Sequence, residues 1–260
     1  MAQFYTGWRN GRRAKLAPMK VGLFVTCLVD LLRPSIGFAA LALLESAGCE
    51  VLVPATQTCC GQPGYNSGDR ASARALAEKV LDEFEGCDYV VVPSGSCAGM
   101  IRVHYADVLR DDAALAARAE RLCPRVYELT EFLTTVVKLD RIPGRFEGPI
   151  TYHDSCSGLR ELGVKAQPRA LLGRVPGLAL VEMSECETCC GFGGAFSIKF
   201  GDIAAEMAEK KCRHIEATAG TVVMGDLGCM LNIEGRLRKR GDAKTRVLHV
   251  AEVLAGEDGR

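Results

Sequence analysis

A pair of cysteines followed by glycine occurs twice in this chain, each time within a larger pattern of four cysteines. Corresponding cysteines of the two patterns are 129–132 residues apart, and the sequences around them also match. For example, QTCCGQPGYNSGD matches ETCCGFGGAFSIKFGD, and YVVVPSGSCAGMI matches TVVMGDLGCMLNI. Such an internal repeat predicts two copies of one structural unit. The first set is Cys27, Cys59, Cys60 and Cys97, and the second set is Cys156, Cys189, Cys190 and Cys229.

The predicted fold class is α/β, with two tandem repeated units. We predict a basic tail at residues 1–19, a first cysteine-rich unit at 20–142 and a second at 148–260, joined through the aperiodic segment RIPGRFEGP. In each unit, apolar segments of strand length alternate with segments of helical periodicity, in the order strand, helix, strand, helix, strand. This alternation predicts a small, mostly parallel sheet flanked by helices in each unit.

The cysteines of each set follow the carboxyl ends of predicted strands, where open α/β sheets form their binding sites. VGLFVTC ends at Cys27, and YVVVPS precedes Cys97. We therefore expect cysteines distant in sequence to meet in one crevice per unit, with helices after Cys27 and Cys97 offering amide hydrogens to thiolates. Glycines such as Gly61 and Gly191 would allow the backbone to approach a bulky inorganic ligand.

The density and spacing of the cysteines indicate metal chemistry. The N-terminal residues lack the apolar stretch of a secretory signal, so a cytoplasmic location is expected, where 13 cysteines argue against structural disulfides. Structural zinc sites usually use CxxC-like pairs, whereas these cysteines occur singly or as adjacent pairs, with more than 30 residues between groups. The spacing favours iron–sulfur clusters, one per unit, over zinc, which stays the alternative.

Other classes of ligand are not indicated. Lys and Arg together number 32, as do Asp and Glu, so no global charge suggests nucleic acid as a partner. No apolar run approaches the roughly 20 residues of a membrane-spanning helix, so no membrane span is expected. Neither GxGxxG at a strand–helix turn nor GxxxxGK[ST] occurs, and the sequence therefore predicts no dinucleotide or ATP site.

The order Cys, CCG, Cys, present twice, resembles the Cys, CCG, CxxC pattern of the CCG or cysteine-rich domain family. This family includes the heterodisulfide reductase B subunit and the glycolate oxidase iron–sulfur subunit. The stretches TCCGQPGYNSG, PSGSC, TCCGFGGAFSIK and HVAEVL resemble a subgroup of stand-alone members with two such domains. The resemblance implies a role in oxidising L-lactate, a small 2-hydroxy acid, to pyruvate, together with a partner iron–sulfur protein and an accessory protein.

The chain departs from the family pattern at one position in each unit. Ser94 and Asp226 occupy the place of the first cysteine of the family's CxxC, so each unit offers four family cysteines and not five. This departure argues against the five-thiolate cluster of the heterodisulfide reductase subunit. A four-thiolate [4Fe–4S] cluster in each unit is the simpler expectation.

Two further residues are candidates for a role in the site. Cys186 forms CETC with Cys189 and is a candidate ninth ligand, although the first unit has no counterpart. His153 precedes Cys156 by three residues and is a candidate for a hydrogen bond to a cluster or substrate. The remaining cysteines are predicted to pack as small apolar side chains; they are Cys49, Cys87, Cys123 and Cys212.

These observations lead to one main functional hypothesis and two alternatives. The main hypothesis is an iron–sulfur electron-transfer subunit of a lactate-oxidising complex, inactive without its partners. A cluster-based thiol–disulfide reductase subunit is the first alternative, because the resemblance includes the heterodisulfide reductase. A structural zinc-binding module is the second, and it would contain neither iron nor sulfide.

Overall fold

A computed structural model describes residues 19–256. Of the predicted basic tail, residues 1–18 lie outside the described part, as do residues 257–260 of the second predicted unit. The first half contains four strands, among helices and short π- and 3-10-helical segments. In order these are β1 (Lys20–Leu23), α1 (Cys27–Leu32), α2 (Ser35–Ser46), β2 (Glu50–Leu52), α3 (Gln62–Ser67), α4 (Arg70–Phe84), β3 (Tyr89–Val92), α5 (Gly95–Gly99), π-helical Met100–His104, α6 (Tyr105–Val108), α7 (Ala113–Leu122), 3-10-helical Cys123–Arg125, β4 (Val126–Glu128), α8 (Leu129–Glu131) and π-helical Phe132–Val136.

The second half repeats this arrangement with fewer helices. Its elements are β5 (Gly148–His153), α9 (Cys156–Leu162), α10 (Ala166–Leu172), β6 (Leu178–Leu180), α11 (Ala195–Lys199), α12 (Gly201–Glu216), β7 (Thr221–Met224), α13 (Leu227–Lys239), β8 (Arg246–His249) and α14 (Val250–Ala255). No helix or strand occurs between Val136 and Gly148, the region predicted to join the units. Within residues 19–256, none of the helices has both the length and the hydropathy that crossing a membrane requires.

Each half forms one four-stranded parallel sheet. The strand order is β2-β1-β3-β4 in the first sheet and β6-β5-β7-β8 in the second. Strands β1 and β3 are neighbours, but the chain leaves them toward opposite edges of the sheet. The connection after β1 leads to β2, and the connection after β3 leads to β4 on the other side. A crevice opens at such a switch point. The same crevice recurs between β5 and β7.

The predicted fold class is confirmed: the chain forms two α/β units with parallel sheets and flanking helices. The fourth strand of each sheet was missing from the prediction. One is β4, which is only three residues long and lies between helical segments. The other is β8, whose apolar residues run directly into α14, so that strand and helix form one continuous apolar segment. Short apolar runs of this kind do not distinguish strand from helix by periodicity.

The two halves share a continuous apolar core. Helix α14 of the second half packs on α2 of the first, and α10 packs reciprocally on α8 and the π-helical segment that follows it. Leu43 and Leu44 of α2 belong to the same buried cluster as Val253 and Leu254 of α14. Each unit therefore completes its core with a helix from the other.

A buried ion pair fixes the contact between α2 and α14. The Glu252 side chain is fully buried, and its two carboxylate oxygens each accept a hydrogen bond of 2.9 Å from the Arg33 guanidinium. Ser35 Oγ donates to the same carboxylate at 2.7 Å. Because a buried carboxylate without its cation is costly, this pair makes the position of α14 specific.

Replacing Arg33 with methionine should lower the free energy of unfolding by about 3 kcal/mol, because the Glu252 carboxylate would stay buried without its cation. Urea denaturation followed by circular dichroism measures this change. The control is Arg145→Met, which removes the exposed partner of Glu147 and should cost less than about 1 kcal/mol. Equal effects of the two substitutions would contradict the structural role of the buried pair.

Candidate metal centres

The fold brings the four cysteines of the first set together at the crevice between β1 and β3. Their thiols form a continuous series: Cys27 lies within hydrogen-bonding reach of Cys59, Cys59 of Cys60, and Cys60 of Cys97. Residues from three separate connections of the sheet therefore meet in one place, as the sequence predicted. Four converging sulfurs can hold a metal centre that prefers soft ligands.

The second set repeats this arrangement between β5 and β7. Cys156 lies within reach of Cys189, Cys189 of Cys190, and Cys190 of Cys229. The two sets differ in burial. Cys27 is exposed where its counterpart Cys156 is half-buried, and Cys97 is half-buried where its counterpart Cys229 is 6% exposed. Cys60 and Cys190 are equally buried. The second centre is thus further from solvent than the first.

Helix N-termini present the outer cysteines of each set. Cys27 is the first residue of α1, and Cys156 is the first residue of α9. Cys97 and Cys229 lie in the first turns of α5 and α13. The sequence predicted helices that begin after Cys27 and Cys97; instead these cysteines lie within the first turn, where the helix dipole favours thiolate.

The CCG glycines are required by the backbone. Gly61 and Gly191 have φ angles of +86° and +89°, and their amides donate to Cys59 Sγ and Cys189 Sγ, each at 3.4 Å. A Cβ on Gly191 would lie 2.7 Å from the Ala204 carbonyl oxygen. Only glycine combines this left-handed conformation with so close a contact, so it directs the preceding thiols into the crevice.

The thiols in each set have opposed pKa shifts. Hydrogen bonds from Cys27 and Cys60 lower the pKa of Cys59, whereas the same interactions and burial raise the pKa values of Cys27 and Cys60. Cys156, Cys189 and Cys190 repeat this pattern. Binding of a cation by all four sulfurs would release protons, so affinity would increase with pH.

A cavity of about 340 Å³ adjoins the first set. All four cysteines of that set line it, and residues of the second half, including Phe192, Ala195 and Ile198, form the opposite wall. The second half thus covers the first centre. Ile198 is nevertheless 86% exposed, which places an apolar side chain at the rim of the cavity.

His153 and Cys186 occupy different surroundings. The His153 ring is fully buried, and a ring nitrogen lies within 4.8 Å of the sulfurs of both Cys190 and Cys229. Neither ring nitrogen has a hydrogen-bond partner among the described residues, and burial together with the charge of Lys211 lowers the pKa of His153 to about 3. The neutral ring therefore borders the second set directly.

The thiol of Cys186 lies instead beside carboxylates. Its sulfur groups with Asp154 and Glu187, and burial and the Asp154 charge raise its pKa. Cys186 is close to Cys189 in the sequence, but its sulfur is not part of the series of thiols formed by the second set. The other four cysteines, Cys49, Cys87, Cys123 and Cys212, lie in the apolar cores.

One residue that lies near the second set was not identified from the sequence. Lys211 is 1% exposed and lies on the apolar face of α12, between the buried residues Ala208 and Ile215. The signal was present, because a lysine at a core position of an amphipathic helix departs from the helix's own pattern.

Comparisons with known proteins identify the family of the chain. The family model described as "Cysteine-rich domain", CCG, matches residues 21–102 and 150–234. The chain belongs to the cysteine-rich CCG domain family. Lactate utilization protein A of Geobacillus kaustophilus (strain HTA426) is 47% identical over 237 residues, covering 91% of this chain and 98% of that protein. The protein of the same name from Halalkalibacterium halodurans is 44% identical, covering 91% of this chain and 96% of its own length.

The fold also occurs in a solved structure. The crystal structure of a hypothetical protein from Helicobacter pylori matches with a TM-score of 0.67 at 13% identity. The match covers 92% of this chain, which spans about half of that protein, at 49% of its length. At this identity the likeness concerns the fold alone.

The two positions at which the chain departs from the CCG family pattern contact each other. Ser94 caps α5 and Asp226 caps α13, and Ser94 Oγ donates to Asp226 Oδ2 at 3.1 Å. The Ser96 amide donates to the same oxygen at 2.9 Å, and the Gly228 amide donates to Oδ1 at 3.1 Å. The Asp226 carboxylate therefore joins the two halves between the two sets of cysteines.

Adjacent to this joint, the halves touch through glycine. A Cβ on Gly95 would lie 2.8 Å from the Cα of Gly158 and 2.9 Å from Ser155 Oγ. Helix α5, which contains Cys97, and helix α9, which begins with Cys156, can therefore approach each other closely. This contact brings one cysteine of each set to the interface between the halves.

Substituting Gly95 with alanine should lower the free energy of unfolding by about 2 kcal/mol, because the added methyl group would overlap the backbone of α9. Chemical denaturation measures the loss. Gly86→Ala is the matched control, since nothing lies within 4 Å of a Cβ at Gly86. A Gly95→Ala protein as stable as Gly86→Ala would show that the two helices do not pack as closely as described.

Proposed function

We propose that this protein is an iron–sulfur electron-transfer subunit that acts in the oxidation of L-lactate to pyruvate in the cytoplasm. The observation that carries the proposal is the convergence of two sets of four cysteine sulfurs at the switch points of two parallel sheets. Each set would hold one cluster, and the proposed ligands are Cys27, Cys59, Cys60 and Cys97 in the first half and Cys156, Cys189, Cys190 and Cys229 in the second.

The residues present fit a [4Fe–4S] cluster. Four thiolates are its usual ligand set, and the potential of such a cluster depends on hydrogen bonds to its sulfurs. The chain supplies the four thiols, and Gly61 and Gly191 show that backbone amides at these sites point toward sulfur. When bound, the cluster would supply one-electron transfer. The adjacent cysteines of each CCG favour a multi-iron centre over a single zinc ion, because neighbouring residues reach different irons more easily than one.

The relatives named lactate utilization protein A support the metabolic part of the proposal, since they match almost the whole described chain. An iron–sulfur cluster carries single electrons, whereas converting a 2-hydroxy acid to a keto acid removes two. The family resemblance supports a partner iron–sulfur protein and an accessory protein in the proposed complex. Because the sequence has no dinucleotide motif, the two-electron step on lactate would lie on a partner or on the clusters themselves. The exposed Ile198 at the rim of the cavity offers an apolar surface near the first centre for such a partner.

A second candidate function rests on Cys27. Its thiol is exposed and borders the cavity of about 340 Å³, so a small disulfide could reach the first set from solvent. This arrangement supports a cluster-based thiol–disulfide reductase. The test supplies the isolated, cluster-loaded protein with an artificial one-electron donor, two electrons and two solvent protons being needed to convert each disulfide to two thiols. Donor-dependent reduction of small disulfides, with no response to the lactate partners, would favour this function over lactate oxidation.

Protein purified without oxygen or reconstituted with iron and sulfide should contain about eight irons, four in each half. Cys60→Ala and Cys190→Ala should each reduce this to about four by removing a ligand of one cluster. Metal analysis with acid-labile sulfide determination measures both. Cys123→Ala and Cys212→Ala, which replace core cysteines outside the sets, should retain the full iron content. Stoichiometric zinc without sulfide would contradict the proposal in favour of a zinc module.

The purified chain alone should oxidise L-lactate negligibly, and activity should appear when the partner iron–sulfur protein and the accessory protein are added with an artificial acceptor. Cys60→Ala and Cys190→Ala should abolish this activity, since each interrupts the electron path, whereas Cys123→Ala should leave it nearly unchanged. Acceptor reduction followed by absorbance provides the measurement. Rapid lactate oxidation by the chain alone would overturn the assignment as an electron-transfer subunit.

A further inference from the structure

The two candidate centres differ by one buried cation. Helices α4 and α12 occupy equivalent places in the two halves, and their buried residues correspond: Ala73 with Ala204, and Ala77 with Ala208. At the same spacing, Val80 of α4 corresponds to Lys211 of α12. Val80 therefore packs in the apolar core of the first half. At the equivalent position of the second half, Lys211 is 1% exposed and lies near the second set of cysteines.

The Lys211 ammonium is held against the loop that precedes the second CCG. Nζ donates to the carbonyl oxygens of Glu185 and Cys186, the latter at 3.3 Å. No carboxylate of residues 19–256 lies within 4.0 Å of this nitrogen. Helix α12 packs directly on this loop, since a Cβ on Gly191 would lie 2.7 Å from the Ala204 carbonyl oxygen. Burial lowers the pKa of Lys211, and the charges of Cys186, Cys190, Asp154 and Cys229, in decreasing order, oppose that shift. Lys211 in turn opposes the rise in the pKa of Cys229.

The carboxylates closest to the second set already have partners. Asp154 accepts two hydrogen bonds from the Arg169 guanidinium, at 2.8 and 2.9 Å. Asp226 accepts from Ser94, Ser96 and Gly228, as described above. Lys211 is therefore available to compensate negative charge that arises on the cysteines themselves.

Such compensation matters more at the second centre than at the first. At equivalent positions, Cys27 is exposed where Cys156 is half-buried, and Cys97 is half-buried where Cys229 is buried. A thiolate-bound cluster is anionic, and each added electron makes it more so. In a site of low dielectric constant, a fixed cation stabilises the added negative charge more strongly than it would in water.

We propose that Lys211 is the internal counter-ion of a cluster bound by Cys156, Cys189, Cys190 and Cys229, and that it raises the reduction potential of that cluster. This inference rests on the proposed function, since it requires clusters at these cysteines. Lys211 acts through its charge on the bound group and through its two hydrogen bonds on the loop that leads to Cys189.

The test isolates the second cluster by using Cys59→Ala/Cys60→Ala protein, in which the first set is disabled. Redox titration monitored by electron paramagnetic resonance then compares four substitutions in this background. Lys211→Met removes the charge and both hydrogen bonds, Lys211→Gln keeps an N–H donor without the charge, and Lys211→Arg keeps the charge. Lys210→Met removes the charge of the exposed neighbouring lysine.

Lys211→Met and Lys211→Gln should decrease the equilibrium constant for reduction of the cluster at least tenfold. This change corresponds to a midpoint potential lower by about 59 mV for one electron. Lys211→Arg and Lys210→Met should leave it near that of the unsubstituted background. Loss of the cluster in the Met and Gln variants, with retention in the Arg variant, would also support the charge as the essential property.

Unchanged potentials in Lys211→Met and Lys211→Gln would overturn the inference, as would loss of the cluster in all three Lys211 variants, which would reduce the residue to a support of the loop. Iron and sulfide analysis of the wild-type protein separates these failures from that of the proposed function. Absence of both elements from the wild type would overturn the proposed function and this inference together, whereas loaded protein with unchanged potentials would overturn the inference alone.

Discussion

The parallel pairing of β1 with β2 on one side and β3 on the other determines the rest of the structure. Because both connections leave the same sheet edge in opposite directions, they cannot cover the space between them. Cysteines from three connections converge on that space. The repeat of this pairing at β5, between β6 and β7, produces the second centre by the same geometry. All cysteines of the two sets are free, so no disulfide assembles either set.

Duplication has produced equivalent positions with different chemistry. The first set has an exposed cysteine, Cys27, and borders a cavity. The second set has no exposed cysteine, and it lies beside His153 and the loop that Lys211 holds. In the first half the corresponding positions are Phe24 and Val80, both buried and apolar. The second half thus places a buried imidazole and a buried lysine where the first half has apolar side chains.

Much of this arrangement could be predicted from the sequence, because the repeat fixed the number of units and the strand pattern placed each cysteine at a sheet edge. Local periodicity did not reveal β4, which is too short, or β8, which merges with α14. The surroundings of Cys186 also depend on tertiary structure, since only the folded loop places its sulfur beside Asp154 and Glu187. Lys211 was detectable as a charged residue on an apolar helix face, but its neighbours were not.

The hydrogen bond between Ser94 and Asp226 links two properties that look independent, the number of thiols in each centre and the placement of one centre relative to the other. Both residues occupy positions where the family pattern has a cysteine, and their hydrogen bond connects the two halves. Restoring a thiol at position 226 would remove the carboxylate that receives donors from α5, and so would loosen the joint. Position 226 can hold either the fifth thiol of the second unit or the carboxylate that connects the two units, but not both.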